Sequence, residues 1–370
     1  MRIVHVVPYY PPDHWGGIEI HVFELCKYSR NHLTSVIASK FRRSSQNFQE
    51  MPSGTTVHRF TSFEPPRIGS LFPRTYNPYI PFIGSKLDAL GEFDILHVHG
   101  QEYFTSHAAV EYARRRTIPC VLTIHHTGQA FSAYSSVRAA RNILERRYFR
   151  RTIEDATFTV AVSRGAAKYL SRYKPQKSAL VHNAVDLERF AHEEKSEEHV
   201  LFVGRLEPLK APEDFVQAAS LILKQVKTRF LVVGSGSLKR YLEKLTHDMG
   251  LSHYIDFQED LPYDELAKTV CRASVLVAPA NAGYSLLEAG AAGKATVSVK
   301  SDWNEDTVGD GALYVDQGDI HGIAAAVIRL LKDKELASSL GQRANEFVKR
   351  NRDWRVVYPR IDKIYSELTS

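Results

Sequence analysis

Strand-length apolar runs alternate with helix-length amphipathic stretches from one end of this chain to the other. The runs are Ile3–Val7, Ser35–Ala38, Thr56–Phe60, Ile95–Val98, Val121–His125, Phe158–Val162 and Ala179–Val181. After a charged break come Val200–Val203, Phe230–Val233, Ile255–Phe257, Val275–Ala278, Thr296–Val299 and Ala312–Val315. Between them lie helix-length segments such as Ile18–Arg30, Phe104–Arg115, Pro212–Lys224, Leu238–Met249 and Ile320–Lys332. A parallel return needs a crossover of about a dozen residues, and helices of this size supply it. Two such sets predict two α/β, Rossmann-like domains with parallel sheets.

The length of 370 residues fits two cores better than one. The boundary is placed in the polar run Ala191-His192-Glu193-Glu194-Lys195-Ser196-Glu197-Glu198, which has no apolar periodicity. Residues 1–190 then form the first domain and 197–350 the second. The segment 353–370 carries Val357, Tyr358, Ile361, Ile364, Tyr365 and Leu368 at helical spacing and is expected to pack back on the first domain. The proline-rich stretch Glu64–Pro81 reads as a long irregular loop, possible material for a lid.

Composition excludes several classes. No run of about 20 apolar residues exists, so no spanning helix is expected. The N-terminal Met1–Val7 lacks the layout of a signal peptide and reads as a buried strand. Cys26, Cys120 and Cys271 are far apart, without metal or disulfide spacing, and fit a reducing cytosol. The net charge of +6 conceals an asymmetry: residues 1–190 hold 25 Lys and Arg against 15 Asp and Glu, and the remainder holds 23 against 27. A basic first half points to an anionic partner, such as a membrane surface or a phosphorylated acceptor. Nucleic acid is not expected, because no recognisable binding motif accompanies the charge. Val137–Arg151, with Arg138, Arg141, Arg146, Arg147, Arg150 and Arg151, reads as a basic amphipathic helix. It suits either anionic lipid or plain solvent, and Arg114–Arg116 add to its field.

Chemistry concentrates at strand ends. Gly204-Arg205-Leu206-Glu207-Pro208-Leu209-Lys210 follows a strand and precedes a helix, where ligands of open parallel sheets bind. Arg205 and Lys210 suit a pyrophosphate leaving group, as a fork and a point charge. Gly283 stands before a helix that begins Tyr284-Ser285, whose free N–H groups and dipole suit phosphate. Glu288 lies one turn in, on an apolar stretch where exposure is hard to explain, and its carboxylate leans toward the same end. Gly234-Ser235-Gly236 is half a dinucleotide fingerprint; ligand approach and a plain tight turn explain it equally well. A dinucleotide oxidoreductase lacks its third glycine, since position 239 is Lys. Gly16-Gly17 follow the first strand and permit close backbone approach. His125 closes a strand, either as a ligand-facing imidazole or as a satisfied core one. His97-Val98-His99 reads as part of a strand, and no metal site is expected.

Taken together these pieces resemble the retaining GT-B glycosyltransferases of family 4, the glycosyl transferases group 1. Tyr9-Tyr10-Pro11-Pro12 with Gly16-Gly17-Ile18-Glu19 and His21 looks like the family's N-terminal glycine loop. His125 falls at its histidine near the donor sugar, and Ser163 with Asn183-Ala184-Val185-Asp186 and Phe190 resembles its "S … NGVD … F" pattern. Gly204, Arg205 and Lys210 match its phosphate motif. Gly283, Glu288, Ala289 and Gly293 match the second half of E-x7-E, whose second Glu holds the ribose. The sequence departs at Ala280, where the first Glu of that motif belongs, and at Ala282, Ala184 and Glu259.

The resemblance implies a GT-B fold, with two Rossmann-like domains facing across a cleft. It implies a hexosyltransferase of the EC 2.4 class, moving a hexose from a UDP- or GDP-sugar to a glycan, lipid-linked or polysaccharide acceptor with retention. Arg205, Lys210 and His125 are the expected catalytic residues. Gly16, Gly17, Gly204, Gly234, Gly283, Tyr284, Ser285 and Glu288 are expected to bind the donor. No cofactor and no metal is expected. The expected location is the cytoplasm, with peripheral association at the inner membrane face through the basic first domain. The alternative is a catalytically impaired nucleotide-sugar-binding module, because position 280 is Ala.

Overall fold

The computed structural model describes residues 1–42, 45–63, 78–125, 145–191 and 199–370. The chain divides into two compact units, Met1–Asn183 with Trp354–Ser370, and Ala184–Asp353. Residues 184–190 therefore go with the second unit rather than with the first domain. The expected polar break falls, apart from Ala191, outside the described residues. So do residues 64–77 of the proline-rich loop and 137–144 of the basic segment.

The first unit is an eight-stranded sheet. Its strands are β1 (Arg2–Val6), β2 (Leu33–Ser39), β3 (Phe48–Glu50), β4 (Thr56–Phe60), β5 (Ile95–His99), β6 (Cys120–Ile124), β7 (Phe158–Ala161) and β8 (Ser178–Leu180). Their spatial order is β3-β4-β2-β1-β5-β6-β7-β8. All pairs are parallel except β3 with β4. Every residue of β5 and β6 is buried, which explains their lack of alternation, since helices cover both faces of a parallel sheet. One face packs Val4, Val6, Leu96, Val98, Leu122 and Ile124 against helix Phe104–Arg116. The edge strand β3 was not anticipated: its three residues are too few and too exposed to leave a pattern.

The second unit is a six-stranded, wholly parallel sheet. Its strands are β9 (His199–Val203), β10 (Arg229–Val233), β11 (Ile255–Gln258), β12 (Val275–Ala278), β13 (Ala295–Val299) and β14 (Leu313–Val315), in the order β11-β10-β9-β12-β13-β14. Numbered from its own start this is 3-2-1-4-5-6, the dinucleotide-fold order. The order reverses between β9 and β12, so the crevice for a ligand opens beyond the carboxyl ends of those two strands.

Helix Trp354–Thr369 returns to the first unit. Trp354 and Tyr365 are fully buried there, and the Tyr365 hydroxyl is 2.6 Å from His97 Nδ1. His32 and Asp362 form a second tie at 2.5 Å. The three cysteines are buried and unpaired with one another. Among the described residues no helix is long and apolar enough to cross a membrane.

Candidate active site

The two turns beyond β9 and β10 are locked backbone to backbone. Gly204 N–H donates to Val233 O at 3.0 Å, Leu206 N–H to Ser235 O at 2.8 Å, and Leu238 N–H to Leu206 O at 2.9 Å. A Cβ on Gly234 would collide with the Gly204 carbonyl oxygen, and one on Gly236 with the Leu206 backbone. Gly234 also has φ +146°, a conformation side chains rarely adopt. Packing of the two turns thus accounts for both glycines. Glu207 fastens the same junction by accepting from Ser237 N–H at 2.8 Å and from its hydroxyl at 2.6 Å.

This clasp positions the two cations. Arg205 is exposed, and Lys210 is half-buried at the end of a single 3-10 turn, Pro208–Lys210. Lys210 Nζ donates to the main-chain oxygen of Asn281 at 2.5 Å. The ammonium of β9's loop is therefore tied to the loop that leaves β12. Burial, and secondarily the neighbouring Arg205, pull the Lys210 pKa down to about 8. Two adjacent cations in a partly desolvated place are an anion site in waiting.

Gly283 opens helix Tyr284–Ala291 with φ +66°, and no side chain caps its first N–H groups. Those amides are the orphan donors that bind phosphate at helix starts. Gly283 Cβ space is empty apart from Trp303 Nε1 at 3.9 Å, so the glycine answers to its backbone angle rather than to crowding. The loop before it is pinned by Asn304, which is fully buried. Asn304 Nδ2 donates to Ala280 O at 3.2 Å and to Val299 O at 3.0 Å, and its Oδ1 accepts from Ala282 N–H at 3.2 Å. Ser301 donates to the Asn281 side-chain oxygen at 2.8 Å. Ala280 itself is a buried methyl, so no carboxylate stands there.

Glu288 is 1% exposed on that helix. Burial pushes its carboxyl up to about 7, while a hydrogen bond from Tyr263 and the charge of Arg189 oppose the rise. Oε1 is buried without a hydrogen-bond partner. A buried carboxylate oxygen with nothing to accept from is costly, and a ligand hydroxyl would relieve it. Arg189 stacks over the Tyr263 ring at 4.6 Å and pairs with Asp264. Arg189, Tyr263 and Asn304 escape a motif reading. Each matters only through contacts distant in sequence, and no spacing announces them.

The remaining candidates lie in the first unit. Gly16 precedes helix Gly17–Tyr28, and a Cβ there would strike the Glu19 carboxylate and meet the His14 ring at 3.0 Å. Gly17 is the helix's first residue. His125, 5% exposed, follows β6, and its Nε2 is 3.3 Å from His99 Nδ1. It belongs to a cluster with His5, His21, His97 and His99, all buried. His97 and His99 do lie on a strand; being two residues apart, they share one face. Arg114, Arg115 and Arg116 each pair with a carboxylate, Asp155 at 3.7 Å, Glu111 at 2.5 Å and Asp88 at 3.0 Å. The basic field is thus locally compensated.

Two Rossmann-like units of this topology, the second with paired cations and a glycine-opened helix at its switch point, are the GT-B architecture of glycosyltransferases. Two family models match in succession: "Glycosyltransferase Family 4" over residues 15–189 and "Glycosyl transferases group 1" over 185–347. The chain belongs to the family 4 glycosyltransferases and is a transferase. Among curated relatives, the phosphatidyl-myo-inositol mannosyltransferase of Mycolicibacterium smegmatis is 29% identical, over 100% of this chain and 94% of its own. The GDP-mannose-dependent alpha-(1-6)-phosphatidylinositol monomannoside mannosyltransferase of the same organism is 27% identical over 96% of each. Among solved structures, sucrose-phosphate synthase from Thermosynechococcus elongatus aligns with TM-score 0.78 at 19% identity, over 99% of this chain and 98% of that one. Anabaena HepE in complex with UDP and glucose aligns with TM-score 0.76 at 16% identity, over 99% and 100%. At such identities the structures speak for the fold alone.

Proposed function

We propose that this transferase moves a hexose from a UDP- or GDP-sugar to a glycan or lipid-linked acceptor, with retention at the anomeric carbon. One observation carries the reading. Lys210 is bonded to the loop of the glycine-opened helix, and the unpartnered Glu288 oxygen lies on that same helix. In this reading the diphosphate rests on the amides at Gly283, Tyr284 and Ser285. Arg205 and Lys210 neutralise the charge that grows as the sugar–phosphate bond breaks. The ribose diol donates to Glu288, which fills the empty acceptor. His125 is assigned to the donor sugar by its motif position. The relatives' names support mannose-type donors and inositol-lipid acceptors.

The cations already supply the leaving-group charge, so transfer is expected to persist in EDTA; complete loss there would contradict a cationic clamp. Peripheral docking of the basic first half on an anionic membrane from the cytoplasmic side belongs to the proposal, and co-sedimentation with anionic vesicles tests it.

Ala280 favours a second reading, a module that binds the nucleotide sugar and turns it over poorly. Donor hydrolysis and transfer by the wild type and by Ala280→Glu separate the two. Wild-type turnover removes the second reading, and turnover only in the variant establishes it.

A further inference from the structure

His125 ends a line of buried imidazoles that runs across three neighbouring strands. His5 on β1 lies opposite His97 on β5, and His99 follows on the same strand, opposite Thr123 of β6. His97 takes no part in the line, because its Nδ1 faces the Tyr365 hydroxyl at 2.6 Å and its Nε2 the Thr123 hydroxyl at 2.7 Å. The line itself is His5 Nδ1 to His99 Nε2 at 3.2 Å, then His99 Nδ1 to His125 Nε2 at 3.3 Å.

We infer that His5 and His99 hold His125 in the neutral tautomer that carries its hydrogen on Nδ1. A neutral imidazole has one donor and one acceptor nitrogen, so a line of them is directional. Its hydrogens point either toward His125 or toward His5. His5 Nε2 is buried and has no hydrogen-bond partner. Hydrogens pointing toward His5 would leave an N–H there without an acceptor. Pointing toward His125, they leave only a lone pair, and burial tolerates an unmet acceptor better than an unmet donor. Burial, and then the neighbouring histidines, hold His5 down to about 3 and His99 well below the usual range, which favours the neutral form of both rings. The lone pair of His125 Nε2 is consumed by His99, so His125 carries its donor at Nδ1 and offers no base at Nε2. His5 and His99 are positioning residues, because they act on a ligand only through His125.

The same rings also bring three-imidazole groups within 4.8 Å of one another, His5/His97/His99 and His21/His99/His125, without a carboxylate or thiolate in either. A buried divalent ion there would be uncompensated, which favours hydrogen bonds over ligation.

This inference deepens the role proposed for His125, but its test needs no substrate. Long-range 1H–15N correlation on the full chain, labelled with 15N-histidine and kept at neutral pH, reads each tautomer directly. His125→Gln identifies the His125 signal by its loss. The expected signal has a pyrrole-type shift at Nδ1 and a pyridine-type shift at Nε2. In His99→Phe, melting like wild type, the Nε2–H tautomer of His125 should gain population, because His99 is the ring that faces His125 Nε2. A wild-type His125 with its hydrogen on Nε2 or on both nitrogens overturns the inference, and this spectrum decides the matter even if the variant does not fold. An unaltered His125 signal in folded His99→Phe also overturns it. So does one equivalent of tightly held zinc in protein purified without chelator, since ligation would then occupy the lone pairs.

Discussion

Glu288 and Lys210 are each displaced toward neutrality by burial, in opposite directions, and the displacement makes them sensitive to one another's ligand. A ribose diol hydrogen-bonds best to an ionised Glu288, so donor affinity should fall as pH drops through about 7. In the proposed reading the diphosphate rests on the ammonium of Lys210, so affinity should also fall as pH rises through about 8. Nucleoside-diphosphate affinity measured by calorimetry across pH is therefore expected to peak between those values; a flat profile would speak against both assignments. Glu288→Gln separates binding from folding. The native carboxyl titrates near 7 against 4.5 for its ordinary value, so its burial cost accrues between those pH values and is full above 7. The glutamine variant should be more stable above pH 7 by up to about 3 kcal/mol, gain nothing below pH 4.5, and bind the donor more weakly. Both residues were legible in sequence, because a lone charge in an apolar run and two cations after a strand are local signals. Tyr263 and Arg189 were not, since they reach Glu288 only once the sheet is built.

At the scale of elements, the loop 280–283 is shaped from outside itself. Asn304 lies 24 residues beyond Ala280 and ties that loop to the end of β13 through three hydrogen bonds. Asn304→Ala should cost about 2–3 kcal/mol, as buried backbone groups lose their partners. It should also lower donor affinity about tenfold by loosening the helix start, which is 1.4 kcal/mol. Thermal melting and calorimetry measure the two separately, and an affinity like wild type in a destabilised variant would show the loop to be rigid without it. Periodicity predicted most strands, and the helices it bounded, within a residue or two, because a buried parallel sheet writes unbroken apolar runs. It did not predict β3, an edge strand of three residues with nothing to bury. Nor did it decide between the readings of Gly234. The answer, a backbone approach to Gly204, is a contact 30 residues away in the chain.

The whole molecule is two units whose sequence division is not a simple halving. Trp354–Thr369 completes the first unit after the second has been built, and its Trp354 and Tyr365 are among the largest fully buried side chains. Ending the chain after Asp353 should therefore lower the melting transition of the first unit, seen by calorimetry and proteolysis, while nucleotide affinity of the second stays within about threefold. The return of this helix was legible from its apolar spacing. The boundary was not: Val185 N–H bonds to Arg352 O at 2.8 Å and Phe190 packs on Tyr263, so 184–190 belong where no local composition places them. The central claim is that Arg205 and Lys210 of the second unit hold the nucleotide's diphosphate. Calorimetric titration of UDP and of uridine, with the GDP and guanosine pair alongside, into wild type and the Arg205→Ala/Lys210→Ala double variant tests it most directly. We expect a diphosphate loss of about 100-fold or more, with nucleoside affinity little changed. A double variant that binds the diphosphate as tightly as wild type would contradict the account.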